Sequence, residues 1–127
     1  MIDALFNQPN YVAAKRLIDV TAARMEAAAS NLGNVETPGY RRVDLPRAFE
    51  KQLQEAVRSG NVQALRNLQP QLQPDPNAAA VRPDGNTVDL ESEMIGMYRA
   101  SMEHELETRL VTGRLLKLRL AITGRST

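Results

Sequence analysis

The 127-residue chain is predicted to be mainly all-α, with long N- and C-terminal helices packed as an antiparallel, coiled-coil-like pair. Three observations predict this fold. Apolar residues recur at helical spacing in two long segments, prolines are concentrated between those segments, and aromatic residues make up only 4% of the chain. Because scarce aromatic side chains supply little area for a compact core, packing between the Ala, Leu and Met side chains of helices is favoured. The length fits one domain, 1–127.

The N-terminal helix is predicted at about 11–35 from a heptad pattern. Large residues recur every seven positions, and a second, smaller series lies three positions after each of them. The large series is Tyr11, Ile18, Met25 and Leu32, and the smaller series is Ala14, Thr21, Ala28 and Val35. A seam with this period is typical of a helix that packs along another helix. Since the second series is mostly small, the neighbouring helix can approach closely.

The C-terminal helix is predicted at about 89–122, after the turn-forming residues 84–86. Acidic residues at 89, 91 and 93 occupy its first turn, where the helix dipole favours negative charge. Its first apolar stripe comprises Ile95, Tyr98, Met102, Leu106, Leu110, Gly113, Leu116 and Leu120, and its second comprises Val111, Leu115, Leu118 and Ile122. Because a two-helix hairpin cannot cover both stripes, the pattern predicts a further packing partner.

A short helix and an extended linker are expected to join the two long helices. After a turn at 36–45, Pro46 is placed to start a helix over about 46–59 whose apolar face is Phe49, Leu53 and Val57. The linker is predicted over about 60–86. Its segment 61–69 is ambiguous, whereas 69–83 is rich in Pro and Gln and favours little helix or strand.

Charge is divided sharply along the last forty residues, although the whole chain carries a net charge of only +1. Residues 88–108 contain six acids and one arginine, a net charge of −5, whereas 109–127 contain five cations and no acid, a net charge of +5. Complementarity with the helix dipole explains this order, and contact with an acidic partner is the alternative. Nucleic-acid binding is disfavoured because no aromatic residues are interleaved with the cations.

The sequence contains no recognisable group of catalytic residues. The chain has no Cys and a single histidine, His104, whose His-Glu-x-x-Thr context lacks the second zinc ligand of His-Glu-x-x-His. His104 is therefore interpreted as a surface residue among helix carboxylates. Those carboxylates scatter around a helix and are expected to be solvated: Glu91, Glu93, Glu103, Glu105 and Glu107. We predict no catalytic residue, no cofactor and no metal site, and hence a protein that is not an enzyme.

The segment 30–40, Ser-Asn-Leu-Gly-Asn-Val-Glu-Thr-Pro-Gly-Tyr, has the properties of a helix terminus followed by a chain reversal. Pro38 disfavours helical geometry at Thr37, so the N-terminal helix must end just before it. Pro38-Gly39 suits the two central positions of a type II turn. Asn31 and Asn34 lie on one face of the last helical turn, where their amides can bond to the free carbonyls.

This segment resembles the N-terminal signature of the rod, hook and hook-associated axial proteins of the bacterial flagellum. That family favours Asn-Leu/Ile-Ala-Asn, two variable residues, then Thr-Pro-Gly-Tyr/Phe. The matching positions are Asn31, Leu32, Asn34, Thr37, Pro38, Gly39 and Tyr40, with Gly33 replacing the usual Ala. Segments 82–91 and 112–122 resemble a proximal rod protein of the basal body, and the resemblance extends in order over about 12–122.

The resemblance implies a structural subunit of the proximal rod, a single axial domain that polymerises through its terminal helices to form the motor drive shaft across the periplasm. It also implies export by the flagellar type III apparatus without a cleaved signal. The opening segment agrees, since it has Asp3, no cation before Lys15 and no apolar run of a secretory signal. The implied partners are other copies, other proximal rod proteins, the rod-to-membrane-ring adaptor and the export gate. Nucleic acid, a small-molecule substrate and a direct membrane span are not expected.

The positions expected to pack the helices or to mediate assembly are Ile18, Met25, Leu32, Ile95, Tyr98, Met102, Leu106, Leu110, Leu115, Leu116, Leu118 and Ile122. Two alternatives stay open. A sister proximal rod protein shares the signature but usually has a longer C-terminal half. A cytosolic helical chaperone or adaptor shares the amphipathic helices but gives no reason for the Thr-Pro-Gly-Tyr turn.

Overall fold

The computed structural model describes residues 8–124 and is mainly helical, which confirms the predicted fold class. The elements in chain order are α1 (Pro9–Gly33), β1 (Val43–Asp44), α2 (Arg47–Ser59), α3 (Val62–Asn67), β2 (Gln73–Pro74) and α4 (Leu90–Thr123). The opening seven residues, where no signal peptide is expected, lie outside the described residues. Among the described helices, none combines the length and the apolar character that crossing a membrane requires.

The two long helices, α1 and α4, pack against each other in antiparallel directions. Near one end, Tyr11 and Leu118 line the same cavity. Further along the pair, the Thr21 hydroxyl oxygen lies 3.1 Å from Nδ1 of His104. Position numbers therefore rise along α1 as they fall along α4. This arrangement is the predicted antiparallel, coiled-coil-like pair.

The apolar core lies on the other side of α1, where α2 and α3 pack. Its buried members are Val12, Val20, Ala23, Leu45, Phe49, Leu53, Ala56 and Leu65. Helix α4 contributes no residue to this cluster. In α2, Ala56 completes the core face that Phe49 and Leu53 begin at i, i+4 and i+7, while the predicted member Val57 lies beside that face and is exposed. The core is thus built from one face of α1 and the short middle helices.

The prediction of a linker over about 60–86 is wrong at residues 62–67, because these residues form α3. The Asn61 side chain caps this helix by accepting a hydrogen bond from the Ala64 amide at 3.0 Å, and Leu65 is completely buried. Further on, β2 pairs antiparallel with β1, placing Val43 opposite Pro74. Six residues are too few to establish a helical period, so the sequence pattern could not separate this turn of helix from linker.

Leu65→Ala tests the core assignment. Deleting a completely buried leucine side chain removes apolar contacts and leaves a cavity, so we expect the free energy of unfolding to fall by about 2–4 kcal/mol. Urea unfolding followed by circular dichroism measures the change. Val81→Ala is the control, because this exposed side chain lies outside the core. Equal losses for both variants would contradict the assignment.

Candidate functional site

The end of α1 turns back sharply at the Thr-Pro-Gly-Tyr sequence. Helix α1 ends at Gly33, two residues earlier than predicted, and the Asn34 amide bonds the carbonyls of Ser30 and Asn31. The following turn is closed by a 3.2 Å hydrogen bond from the Tyr40 amide to the Thr37 carbonyl. Gly39 has a φ of 69°, which suits the turn position predicted for it.

Asn31 holds the chain after this turn through side-chain hydrogen bonds of the kind that a neighbouring strand would make. Its side chain is completely buried. Its Nδ2 donates to the Val43 carbonyl at 2.9 Å, and its Oδ1 accepts from the Val43 amide at 2.8 Å. The Tyr40 hydroxyl donates to the same Oδ1 at 3.3 Å. One amide side chain therefore satisfies both backbone groups of a residue at the start of β1.

Asn34 and Thr37 stabilise the same helix end from the solvent side. The Asn34 Nδ2 donates to the Ser30 carbonyl at 2.8 Å, and the Thr37 hydroxyl donates to Asn34 Oδ1 at 3.1 Å. The Ser30 carbonyl thus accepts from both the backbone amide and the side-chain amide of Asn34, which closes the end of the helix. Leu32, the apolar member of the motif, is half-buried.

Asn86 joins the second half of the chain to this helix end. Its side chain is completely buried, and Nδ2 lies 3.0, 3.1 and 2.8 Å from the carbonyl oxygens of Asn34, Val35 and Thr37. Its Oδ1 accepts from the Val88 amide at 2.8 Å. Two amide hydrogens thus serve three carbonyls of the turn that follows α1, across a separation of about fifty residues.

Backbone contacts complete this connection. The Thr87 amide donates to the Tyr40 carbonyl at 3.0 Å, and the Thr87 hydroxyl accepts from the Arg42 amide at 2.8 Å. A Cβ atom on Gly85 would lie 3.8 Å from the Cα of Gly39, so the two glycine turns are close neighbours. We call this contact between segments 30–43 and 82–88 the turn junction. The segments 30–40 and 82–91, which the sequence analysis treats as separate motifs, therefore meet at this junction.

Arg42 extends the turn junction to the start of α4 through a cluster of carboxylates. Its guanidinium donates to Glu93 at 2.6 Å, to Asp75 at 2.5 Å and to Asp44 at 3.2 Å. Burial disfavours the charge of Arg42, but the hydrogen bonds and attraction of these carboxylates outweigh burial and raise its pKa. The Glu93 side chain is almost entirely buried. Sequence reasoning missed this cluster. It placed Glu93 in the first helical turn and expected its carboxylate to be solvated, which is wrong because the side chain is buried against Arg42.

A second polar cluster lies midway along the α1–α4 contact. The Thr21 hydroxyl is 3.0 Å from Glu107 Oε2 and 3.1 Å from His104 Nδ1. The interpretation of His104 as a surface residue is therefore wrong, since the side chain is half-buried between the helices. Burial raises the pKa of Glu107, while the Thr21 hydrogen bond lowers it in part. A neutral carboxyl is thus favoured here more than in water.

Helix α4 presents most of its large apolar side chains away from α1. The face that meets α1 carries Ala100, which is 3% exposed, and the buried Glu93. At about 100° per residue, the stripe that includes Tyr98 and Met102 lies on the opposite side. Its exposed fractions are 60% for Ile95, 66% for Tyr98, 72% for Met102, 60% for Leu106, 60% for Leu110, 49% for Leu116 and 41% for Leu120. We call these seven residues the outer stripe.

The other predicted packing positions divide between the two sides of the helix pair. Ile18, Met25 and Leu118 are half-buried. Leu115, Leu116 and Ile122 are exposed in the single chain. Within residues 8–124, no group of His, Asp or Glu side chains is arranged to hold a metal ion. The features that stand out are consequently a polar junction and an uncovered apolar helix face.

Three known proteins that are similar to this chain share one name. No family model matches the chain. The flagellar basal body rod protein FlgB of Borrelia hermsii is 28% identical over 115 residues, covering 76% of this chain and 83% of that protein. Proteins of the same name from Aeromonas hydrophila and Yersinia ruckeri are each 26% identical. These matches cover 84% and 77% of this chain, and 87% and 82% of the respective relatives.

Asn86→Asp tests the turn junction with an almost isosteric change. The carboxylate cannot donate to the three carbonyls and places a negative charge against them, so we expect the free energy of unfolding to fall by about 2–4 kcal/mol. Thermal and urea unfolding at neutral pH measure the loss. Asn10→Asp is the matched control at an exposed position and should change stability by less than about 0.5 kcal/mol. A near-neutral Asn86→Asp would exclude the proposed bonding.

Glu107→Gln tests the polar cluster between α1 and α4. The folded state holds the Glu107 proton more tightly than the unfolded state, so the wild-type contribution to stability falls as the pH rises above the ordinary pKa of 4.5. Glutamine keeps the acceptor for Thr21 without the charge, and we expect a small rise in melting temperature at pH 7. The difference should vanish below pH 4.5, where wild-type Glu107 is also neutral. A variant that is less stable at pH 7 would contradict this account.

Proposed function

We propose that this chain, which is 26–28% identical to three flagellar basal body rod proteins named FlgB, is an exported structural subunit that polymerises into the proximal rod. In this proposal the subunit leaves the cytoplasm through the flagellar type III apparatus. Its terminal helices then pack with those of neighbouring subunits to build the drive shaft. The role is structural, and no catalytic step is assigned to it.

The outer stripe of α4 is the observation that carries this proposal. Its residues span 95–120, roughly 37 Å along the helix axis. Continuous apolar exposure of this length is unusual on a protein that works alone, and it matches the shape of a neighbouring helix. The chain also has little core of its own, because α4 adds nothing to the buried apolar cluster. Burial of the stripe between subunits would add the missing apolar contact.

The turn junction supports the proposal by fixing the relative positions of the two terminal helices. A subunit that transmits torque must keep these helices in one geometry when neighbours pull on them. Completely buried amides such as those of Asn31 and Asn86 hold one geometry because any slip would leave polar groups unsatisfied. We propose that this is the role of the rod-family motif at residues 31–40.

The proposed partners are other copies of this chain, other proximal rod proteins, the rod-to-membrane-ring adaptor and the export gate. The proposed location is the basal body, in the part of the rod that crosses the periplasm. A sister proximal rod protein remains the alternative within the family. A cytosolic helical adaptor would also expose an apolar helix face, and fractionation separates the two classes, because a rod subunit co-purifies with detergent-extracted basal bodies.

Leu106→Asp tests the proposed function. The side chain is 60% exposed, so the change should leave the fold intact, while a carboxylate within the outer stripe disfavours burial between subunits. We expect the variant to be stable, yet absent from purified basal bodies and unable to restore swimming to cells that lack the wild-type protein. Val81→Asp, at a similarly exposed position outside α4, is the control. Normal swimming with Leu106→Asp would refute the assignment.

A further inference from the structure

We infer that the second half of α4 binds the surface of an anionic phospholipid bilayer when no neighbouring subunit covers it. In this contact the helix lies along the bilayer, with its apolar side chains among the acyl chains and its cations at the phosphate groups. The inference goes beyond the proposed rod function and does not depend on it. Three observations support it: the charge of residues 109–124, the arrangement of that charge around the helix, and the exposed leucines between the cations.

The second half of α4 is basic and has no acidic residue. The cations of residues 109–124 are Arg109, Arg114, Lys117 and Arg119. Arg109 pairs with Glu105 at 2.6 Å, so its charge is already compensated within the chain. The other three side chains are exposed, and within residues 8–124 none of them has an ion-pair partner. Three uncompensated cations within two helical turns favour contact with a negatively charged surface.

These cations flank an exposed apolar strip on both of its sides. Leu116 and Leu120, which belong to the outer stripe, are 49% and 41% exposed. At about 100° per residue, Arg119 lies on one side of the two leucines, whereas Lys117 and Arg114 lie on the other side. Lysine and arginine side chains can lay their aliphatic stems along apolar surface while their charged ends reach polar groups. This is the arrangement of a helix that lies in the headgroup region of a membrane.

Helix α1 extends the basic surface beside this part of α4. Tyr11 lines one cavity together with Arg114, Lys117 and Leu118. The ammonium group of Lys15, an exposed residue, lies 5.8 Å from the centre of the Tyr11 ring. Aromatic rings with a polar end are enriched where a membrane meets water. The surface that suits a bilayer thus continues from α4 onto the first turns of α1.

The first half of α4 limits the extent of the contact. Residues 89–108 contain six acids and one arginine, and Glu91 lies on the same side of the helix as the outer stripe. An anionic surface repels these carboxylates, so the apolar side chains near them gain less from the bilayer. The contact is therefore confined to residues 109–122, roughly 20 Å of the helix.

The distribution of the cations favours a bilayer over an acidic protein segment. From Arg119 through the leucines to Arg114, the three cations span about 220° of the helix circumference. A single partner helix contacts a narrower strip and would leave at least one cation outside the interface. Headgroup phosphates lie on both flanks of an embedded helix and can reach all three cations. The same leucines cannot contact lipid and a neighbouring subunit at once, so the bilayer contact belongs to the unassembled subunit.

Vesicle flotation tests this inference on the purified full chain. Vesicles of equal parts phosphatidylglycerol and phosphatidylethanolamine should carry the protein upward in a density gradient, and neutral phosphatidylcholine vesicles should carry at least about tenfold less. Each cation near an anionic surface contributes roughly fivefold to partitioning, so Lys117→Gln with Arg119→Gln should weaken binding at least about tenfold. The matched control, Arg41→Gln with Lys51→Gln, removes the same charge at exposed positions outside α4 and should bind like the wild type.

A second variant tests the apolar part of the contact. Leu116→Ser keeps every cation but removes an exposed apolar side chain, so it should weaken vesicle binding at least about fivefold. Circular dichroism of each purified variant shows whether the helices are intact. If Leu116→Ser lowers the helix content, Leu120→Ser takes its place, because that side chain is also exposed in the outer stripe.

Each contrary outcome would overturn the inference. Equal flotation with anionic and neutral vesicles, or unchanged binding of the Lys117→Gln and Arg119→Gln variant, would exclude an electrostatic bilayer contact. Binding that does not change with either serine variant and that soluble polyglutamate abolishes would indicate an acidic protein partner. Displacement by inorganic phosphate at equal ionic strength would indicate a site for the free ion. None of these results concerns incorporation into basal bodies, so each would leave the proposed rod function intact.

Discussion

The close contact of α4 with α1 through small and polar side chains determines where the chain can bury its large apolar groups. Ala100 and the buried Glu93 face α1, so Tyr98 and Met102 must point away from it. The apolar core forms instead on the far side of α1, against α2 and α3. An antiparallel pair of this kind has two unlike sides, one covered within the chain and one that the chain itself leaves uncovered.

Polar side chains make this geometry specific. Apolar contacts between small residues allow sliding, whereas the amide of Asn86 meets the carbonyls of the turn after α1 in one register only. Arg42 adds a second connection to the first turn of α4 by bonding Glu93. Both connections lie at the same end of the helix pair. Near the opposite end, Arg16 of α1 donates to the carbonyls of Leu65 and Arg66 in α3.

Much of this arrangement could be predicted from periodicity and turn chemistry. The two long helices and the Pro38-Gly39 reversal follow from local patterns, and the structure bears them out. The face of α4 that contacts α1 could not be predicted from the sequence. Hydrophobic periodicity shows which face of a helix is apolar, but it does not identify the element that packs against that face. Helix α3 was too short to show a period. The role of Asn86 depends on a contact with residues some fifty positions away, which no local pattern encodes.

In the proposed assembly, the outer stripe is uncovered in the single subunit and covered in the rod. Met102→Cys reports on it directly through its rate of labelling with a small maleimide, because the natural chain has no competing cysteine. We predict rapid labelling of the purified subunit and labelling at least about tenfold slower in intact basal bodies, since burial in an interface excludes the reagent. Val81→Cys calibrates access to an exposed site outside α4. Equal labelling rates at Met102→Cys in subunit and basal body would contradict the account.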